Sequence, residues 1–180
     1  MSIFKRFFQT KPLGQQALDP LYEAIVTQAR QPAFFRDYGV ADTLDGRFDM
    51  LALHVYLLVR RLRPEGEAAG ELPRLLPERM FRELDRALRE NGISDMGVPR
   101  RVKKMANVFY GRAMAYEGAR ADRAELVEAL ARNVFSDQEE PAHAGRLADY
   151  VLACMNKLDA AALEDILAGR PDFADPEAVA

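Results

Sequence analysis

Asp42, Asp45 and Asp49 in ADTLDGRFDM read at first as paired carboxylates for general acid and base work. A more economical reading makes Asp42 or Thr43 a helix N-cap and Asp45 a first-turn acid facing the positive end of the helix. The chain has two histidines, His54 and His143, and neither has a second His or a Cys at metal-ligand spacing. His54 lies in the most apolar stretch, where it reads as a hydrogen-bonded core residue or, alternatively, as the general base of a small helical enzyme. No nucleophile stands beside it, and the chain has only three serines, Ser2, Ser94 and Ser136. None of GxGxxG, GxxxxGK[ST], HExxH or GxSxG occurs. The single Cys154 excludes an internal disulfide and a CxxC pair, which fits a reducing compartment. The expectation is a protein without catalytic machinery, metal or cofactor.

A different chemistry is written in GVPRRVKKMANVFYGR, residues 97–112. Arg100, Arg101, Lys103, Lys104 and Arg112 are cationic there and no residue is acidic, in a chain of formal net charge -3. With Pro99 in the first turn, Val98, Val102, Met105, Phe109, Ala113 and Tyr116 form one apolar stripe, and the cations lie off it. Four of them therefore crowd the end of a helix where the free N–H groups are already positive, at a cost of a few tenths of a kcal/mol each. Either the charges pair with acids on neighbouring helices, such as the DQEE segment at Asp137–Glu140, or they form a surface for an anionic partner. The charge asymmetry favours a contact face: residues 1–12 carry three cations and no acid, whereas residues 137–180 carry ten acids against three cations. In SIFKRFF, Ile3, Phe4, Phe7 and Phe8 beside Lys5 and Arg6 suit either a weak membrane-interface anchor or a terminal helix docked on the core.

The elements that must position these residues are helices. At 180 residues and 49% hydrophobic, the chain can form one domain that buries about 70% of its unfolded surface. Its longest apolar run, Met50 to Val59, is a core helix and too short to span a membrane. Helical period is nearly continuous, so the predicted fold is an all-α, single-domain bundle of about seven helices. Its parts are a short basic and aromatic segment at 1–12, a helical domain at 13–170 and a frayed tail at 171–180. Asp19-Pro20 opens a helix through Arg30, and Gln31-Pro32 ends it. Leu44, Phe48, Leu51, Val55, Leu58 and Leu62 mark a central helix. RPEGEAAGELP is a loop, Pro77 opens the helix through Leu88, and Asn91-Gly92 stops it. Three further helices cover Asp122–Phe135, Pro141–Leu158 and Asp159–Ala168.

The segments LYEAIVTQARQPAFFRDYGVADTLDGRFDMLALHVYLLVRRLR and FRELDRALRENGISDMGVPRRVKKMANVFYGRAMAY resemble the ubiquinol-cytochrome c chaperone family. The resemblance runs from Leu21 to Tyr116 and more loosely beyond. Its most specific parts are the Tyr22 to Arg30 helix with Pro32, the segment Asp42 to Asp49, and the Gly92 to Tyr110 stretch with Asp95, Gly97, Val98, Lys103, Lys104, Met105 and Tyr110, which are structural and surface positions. It implies an assembly chaperone of the cytochrome bc1 complex that holds newly made cytochrome b, with a ribosome, an anionic membrane surface or a small partner protein as further contacts. The lack of an Arg/Ser-rich presequence leads to the expectation of a bacterial member in the cytoplasm or peripheral at the cytoplasmic face of the inner membrane. Phe34, Phe35, Tyr38, Phe48 and Tyr110 then stand either as a surface for client or partner or as core. A helical RNA-binding module using the basic helix is the competing reading, against which the acidic overall charge counts.

Overall fold

The computed structural model describes residues 13–90, 92, 94–135 and 141–179. The N-terminal contact residues Phe4, Lys5, Arg6, Phe7 and Phe8, and the acidic segment 137–140, lie outside the described residues. Eight α-helices are present among them and no strand: α1 Leu13–Ala29, α2 Pro32–Arg36, α3 Leu44–Leu62, α4 Leu72–Glu90, α5 Gly97–Ala119, α6 Arg123–Leu130, α7 Pro141–Ala160 and α8 Leu163–Leu167. A 3₁₀ stretch, Arg63–Ala68, follows α3, and a π-helical turn, Ala131–Phe135, follows α6. The all-α bundle is as expected.

Helix α3 is the axis. From Ala52 to Val59 every side chain is buried, because α1, α4, α5 and α7 all pack against it. Its start is set locally: the Thr43 hydroxyl accepts the Gly46 N–H at 3.2 Å. Gly46 has no space for a side chain, since a Cβ there would sit 2.0 Å from the Ala41 carbonyl oxygen. Leu44, counted in the apolar stripe, is exposed at 51%. Asp42 forms an ion pair with Arg47 at 2.6 Å and is not the cap.

Two helix starts differ from expectation for one reason. Pro20 and Pro77 lie inside α1 and α4, which begin earlier, at Leu13 and Leu72. An interior proline loses one backbone hydrogen bond and costs about 3 kcal/mol. Burial offsets that here: Pro77 is buried, and Pro20 packs against Gly169, where a Cβ would meet the proline ring at 2.4 Å. The helical period continues through both prolines, and tertiary packing overrides the local stop signal.

The tail also differs. In place of a frayed end, residues 171–179 lie against the bundle, with Ala174 buried and the Pro176 carbonyl accepting the Tyr38 hydroxyl at 2.8 Å. The segment has few apolar side chains, but its main-chain groups find partners on α1, on α7 and on Tyr38 just after α2, which composition does not register.

Candidate partner-binding groove

The first turn of α5 stands opposite the first turns of α3. Between them and the π-helical turn lies an open groove of about 890 Å³, with Arg100, Arg101 and Lys104 on one wall, Asp45 and Phe48 on the other, and Phe135 at one end. The floor is an ion pair: Arg112 Nη1 donates to the Asp49 carboxylate, which is 8% exposed. Burial raises the Asp49 carboxyl to about 6, although the Arg112 charge and hydrogen bond pull the other way; Asp45, one turn earlier, adds to the rise. Arg112 is thus a structural partner of α3 and not a free contact cation, which corrects its assignment to the docking set.

The other four cations behave differently. Arg100, Arg101, Lys103 and Lys104 are all exposed, and none forms an ion pair among the described residues. Lys103 lies on the flank and does not line the groove. Many other surface cations are matched, as Arg74 is by Glu71 and Glu78 and Arg89 by Asp85 and Asp95, while Arg30, Arg63 and Arg82 are exposed and form no ion pair among the described residues. The start of α5 adds no offsetting group. No side chain caps it, and the Gly97 and Val98 N–H groups both turn to the Ser94 carbonyl, at 2.8 and 3.1 Å. Unpaired cations at the positive end of an uncapped helix raise the local potential and attract anions.

The five aromatic candidates separate. Phe34 and Tyr38 are wholly buried and Phe48 nearly so, so a client surface made of these three is corrected to core. Phe34 packs edge-on against Tyr38, His54 and Tyr150 at centroid distances of 5.4, 5.5 and 4.9 Å. Phe35 is half-buried against the same core. Only Tyr110 is open to solvent, at 55%, and four residues on Met114 is 78% exposed. Both border an apolar groove of about 340 Å³ with Val59, Pro73, Pro77 and Phe109. Met114 escaped the sequence reading. The available signal was its position one turn after Tyr110 and off the buried stripe of α5.

His54 is 0% exposed, and both ring nitrogens are bonded. A carbonyl can only accept, so Nδ1 carries the proton and donates to Met50 O at 2.7 Å, while Nε2 accepts the Tyr150 hydroxyl at 2.7 Å. Gln28 in turn donates to that hydroxyl at 2.9 Å. Burial depresses His54 to about 4, so it is neutral and out of reach of solvent. The general-base reading is therefore corrected to a satisfied core histidine. His143 stacks on Phe135, with ring centroids 6.2 Å apart. Among the described residues no three His, Cys, Asp or Glu side chains cluster to hold a metal, and no helix is long and apolar enough to cross a membrane.

A family model described as ubiquinol-cytochrome C chaperone matches residues 36–173, which include α3, the basic turn of α5 and both grooves. The chain belongs to this family. Ubiquinol-cytochrome-c reductase complex assembly factor 1 of Xenopus laevis is 28% identical over 149 residues, covering 82% of this chain and 74% of that protein. The Drosophila melanogaster protein of the same name is 30% identical over 146 residues, or 77% of this chain and 56% of that one. The chain spans about half the length of the Mus musculus relative, at 28% identity. The crystal structure of the Cbp3 homolog from Brucella abortus superposes with a TM-score of 0.83 at 38% identity, covering 93% of this chain and 94% of that one. The two external features described above, a cationic helix end and an apolar strip around Tyr110 and Met114, both lie within the matched residues.

Proposed function

We propose that this chain is a chaperone for assembly of the ubiquinol-cytochrome c reductase complex, that its client is newly made cytochrome b, and that it is not an enzyme. The observation that carries the reading is the match of residues 36–173 to the chaperone family. The apolar strip at Tyr110 and Met114 supports it, since an apolar client needs an exposed apolar receptor. The chaperone acts by binding an aggregation-prone intermediate, which changes the abundance of the finished complex and leaves its turnover alone. Deleting the gene should lower assembled cytochrome b and ubiquinol-dependent cytochrome c reduction in membranes. Activity per assembled complex should stay the same. Normal complex levels in a strain without a second homologue would overturn the reading.

The basic turn of α5 serves as the docking point to a phosphate-bearing surface, ribosomal RNA or anionic lipid, at the cytoplasmic face of the inner membrane. Arg100, Arg101, Lys103 and Lys104 support this because they stand exposed near the start of α5, where the first of them work against the helix dipole, and no acid among the described residues offsets them. Reversing all four to Glu should leave the melting temperature unchanged or slightly higher and abolish salt-sensitive cosedimentation with ribosomes or with phosphatidylglycerol vesicles. Which of the two probes loses binding identifies the surface. A fall of several degrees in melting temperature would show that the cations hold the fold together, and the docking role would be withdrawn.

A further inference from the structure

Apolar side chains and unpaired cations meet on one line of α5. Met96, Arg100, Lys103, Asn107, Tyr110 and Met114 are all exposed and follow one another at spacings of 4, 3, 4, 3 and 4. They therefore share the helix face opposite the buried Met105, Phe109 and Tyr116. Met96 precedes the helix but already has helical backbone, at φ −78° and ψ −26°, which keeps it on the line. Four large apolar side chains are exposed among the described residues, and three of them, Met96 at 92%, Tyr110 at 55% and Met114 at 78%, stand here. The sides of α5 that pack inward meet α3, α4 and α6.

The charge left over on this face has one sign. Arg100 and Lys103 lie on the line, Lys104 flanks it, and Arg63 borders the apolar groove beside Met114; none of the four forms an ion pair among the described residues. Asp95 and Glu117, the acids at its two ends, are engaged: Asp95 by Arg89, and Glu117 by the Tyr56 hydroxyl at 3.0 Å and by Arg120 at 2.8 Å. Cations with apolar side chains between them fit a partner that is anionic outside and apolar beneath, which describes the interface of a bilayer carrying anionic lipid. RNA offers the phosphates without the apolar layer. It is held by aromatic rings that stack among the cations, a use that Met96 and Met114 do not have. Tyr110 suits the bilayer too, with its ring at the acyl boundary and its hydroxyl among the headgroups.

We propose that α5 lies flat on an anionic bilayer, with Met96, Tyr110 and Met114 entering the acyl boundary and Arg100, Lys103, Lys104 and Arg63 on the lipid phosphates. This rests on the reading of the basic turn as a docking point and narrows its partner to lipid. From Met96 to Met114 the contact runs about 27 Å, at about 1.5 Å per helical residue, so an apolar anchor at each end holds the helix axis parallel to the membrane. The strip that would receive an apolar client then opens toward the same bilayer.

The chain has no tryptophan, so a single introduced Trp reports its own surroundings. In the full chain, Met96→Trp and Met114→Trp should each shift emission to shorter wavelength, and be quenched by brominated acyl chains, when vesicles of equal parts phosphatidylglycerol and phosphatidylcholine are added. Glu164→Trp, at an exposed position of α8, should do neither. The double variant Met96→Gln/Met114→Gln keeps side-chain size and every charge. It should bind the same vesicles about tenfold more weakly, with its melting temperature and any cosedimentation with ribosomes unchanged. The proposal is overturned if the Gln variant binds the vesicles as the wild type does, if the two Trp reporters stay in water while the protein is bound, or if the wild type binds ribosomes and not vesicles. Reversal of the four cations separates the two readings. Where it abolishes vesicle binding and the Gln variant does not weaken it, docking by charge stands and apolar insertion falls; where reversal changes nothing, the docking reading falls as well.

Discussion

Phe34→Ala is expected to cost the folded state about 3 to 5 kcal/mol. Phe34 is 0% exposed and stands at the meeting point of the Tyr38, His54 and Tyr150 rings, so truncation leaves a cavity in a place that cannot collapse. Tyr150 is tied by its hydroxyl to His54 and Gln28, and Tyr38 by its hydroxyl to Pro176, which fixes the walls around the missing ring. In a chain of this length 1 kcal/mol moves the melting temperature by about 2 to 4 °C, so a loss on the order of 10 °C should appear in thermal or urea unfolding. The same experiment decides between two roles for the residue. A client-contact side chain on the surface would change stability by less than about 0.5 kcal/mol when truncated. A melting temperature within 1 or 2 °C of wild type, by the same scaling, would return Phe34 to the contact surface.

The second expected result concerns pH and two groups on one helix whose contributions oppose each other. Asp49 is raised from 3.8 to about 6, chiefly by burial. Between those values the folded state binds the extra proton, so this group stabilises the fold at low pH and the gain is lost as pH rises through about 6. His54 is depressed from 6.5 to about 4, again by burial. Here the unfolded state binds the proton, so the stability is present above 6.5 and is lost as pH falls through about 4. Each group is worth about 2 to 3 kcal/mol across the shared window, from the free energy of a pKa displacement of this size. In the wild type they nearly cancel. Asp49→Asn should remove one side of the balance and steepen the loss of stability between pH 7 and pH 4 by about 2 kcal/mol relative to wild type. Urea midpoints at pH 7, 5.5 and 4 measure it. Parallel profiles for the two proteins would mean that Asp49 titrates normally and that its pair with Arg112 is open to water.

For a ubiquinol-cytochrome C chaperone these two results bear on how the outer surfaces are held. Asp49 and Arg112 form the floor under the cationic wall of α5, so the groove and the central helix share one buried ion pair. Breaking such a pair by removing one partner costs more than the pair itself contributes, because the remaining charge is left buried. Replacement of Asp49 by the neutral Asn leaves the Arg112 charge largely buried, at 17% exposure of its side chain, and so lowers stability at every pH, which is why the pH dependence, and not the stability at one pH, is the cleaner readout.

Local and periodic features were legible without coordinates. The bounds of α3, the apolar stripe of α5 through Val98, Met105, Phe109 and Tyr116, and the Asp122 cap of α6 all follow from spacing or from a single side chain bonding nearby backbone. The basic turn was visible as a charge pattern, since residues 97–112 include no acid, but whether its cations pair with acids on other helices was left open by the sequence. Three things needed the tertiary structure. Pro20 and Pro77 look like helix starts by their own chemistry, and only the neighbours packed on them hold the helix through. Asp49 and Arg112 are far apart in sequence, so a cation counted as free from the sequence turned out to be paired. Above all, the tail and the aromatic candidates were sorted by partners 96 to 146 residues away, as in Tyr150 on His54 and Gln28 on Ala174. Sequence determined which residues were apolar, charged and helical, because those properties are local. Whether Phe34 faces a client or the core, and whether Pro176 waves free or accepts a hydrogen bond, depends on which distant helix occupies the space beside it, and that is set by packing the whole chain at once.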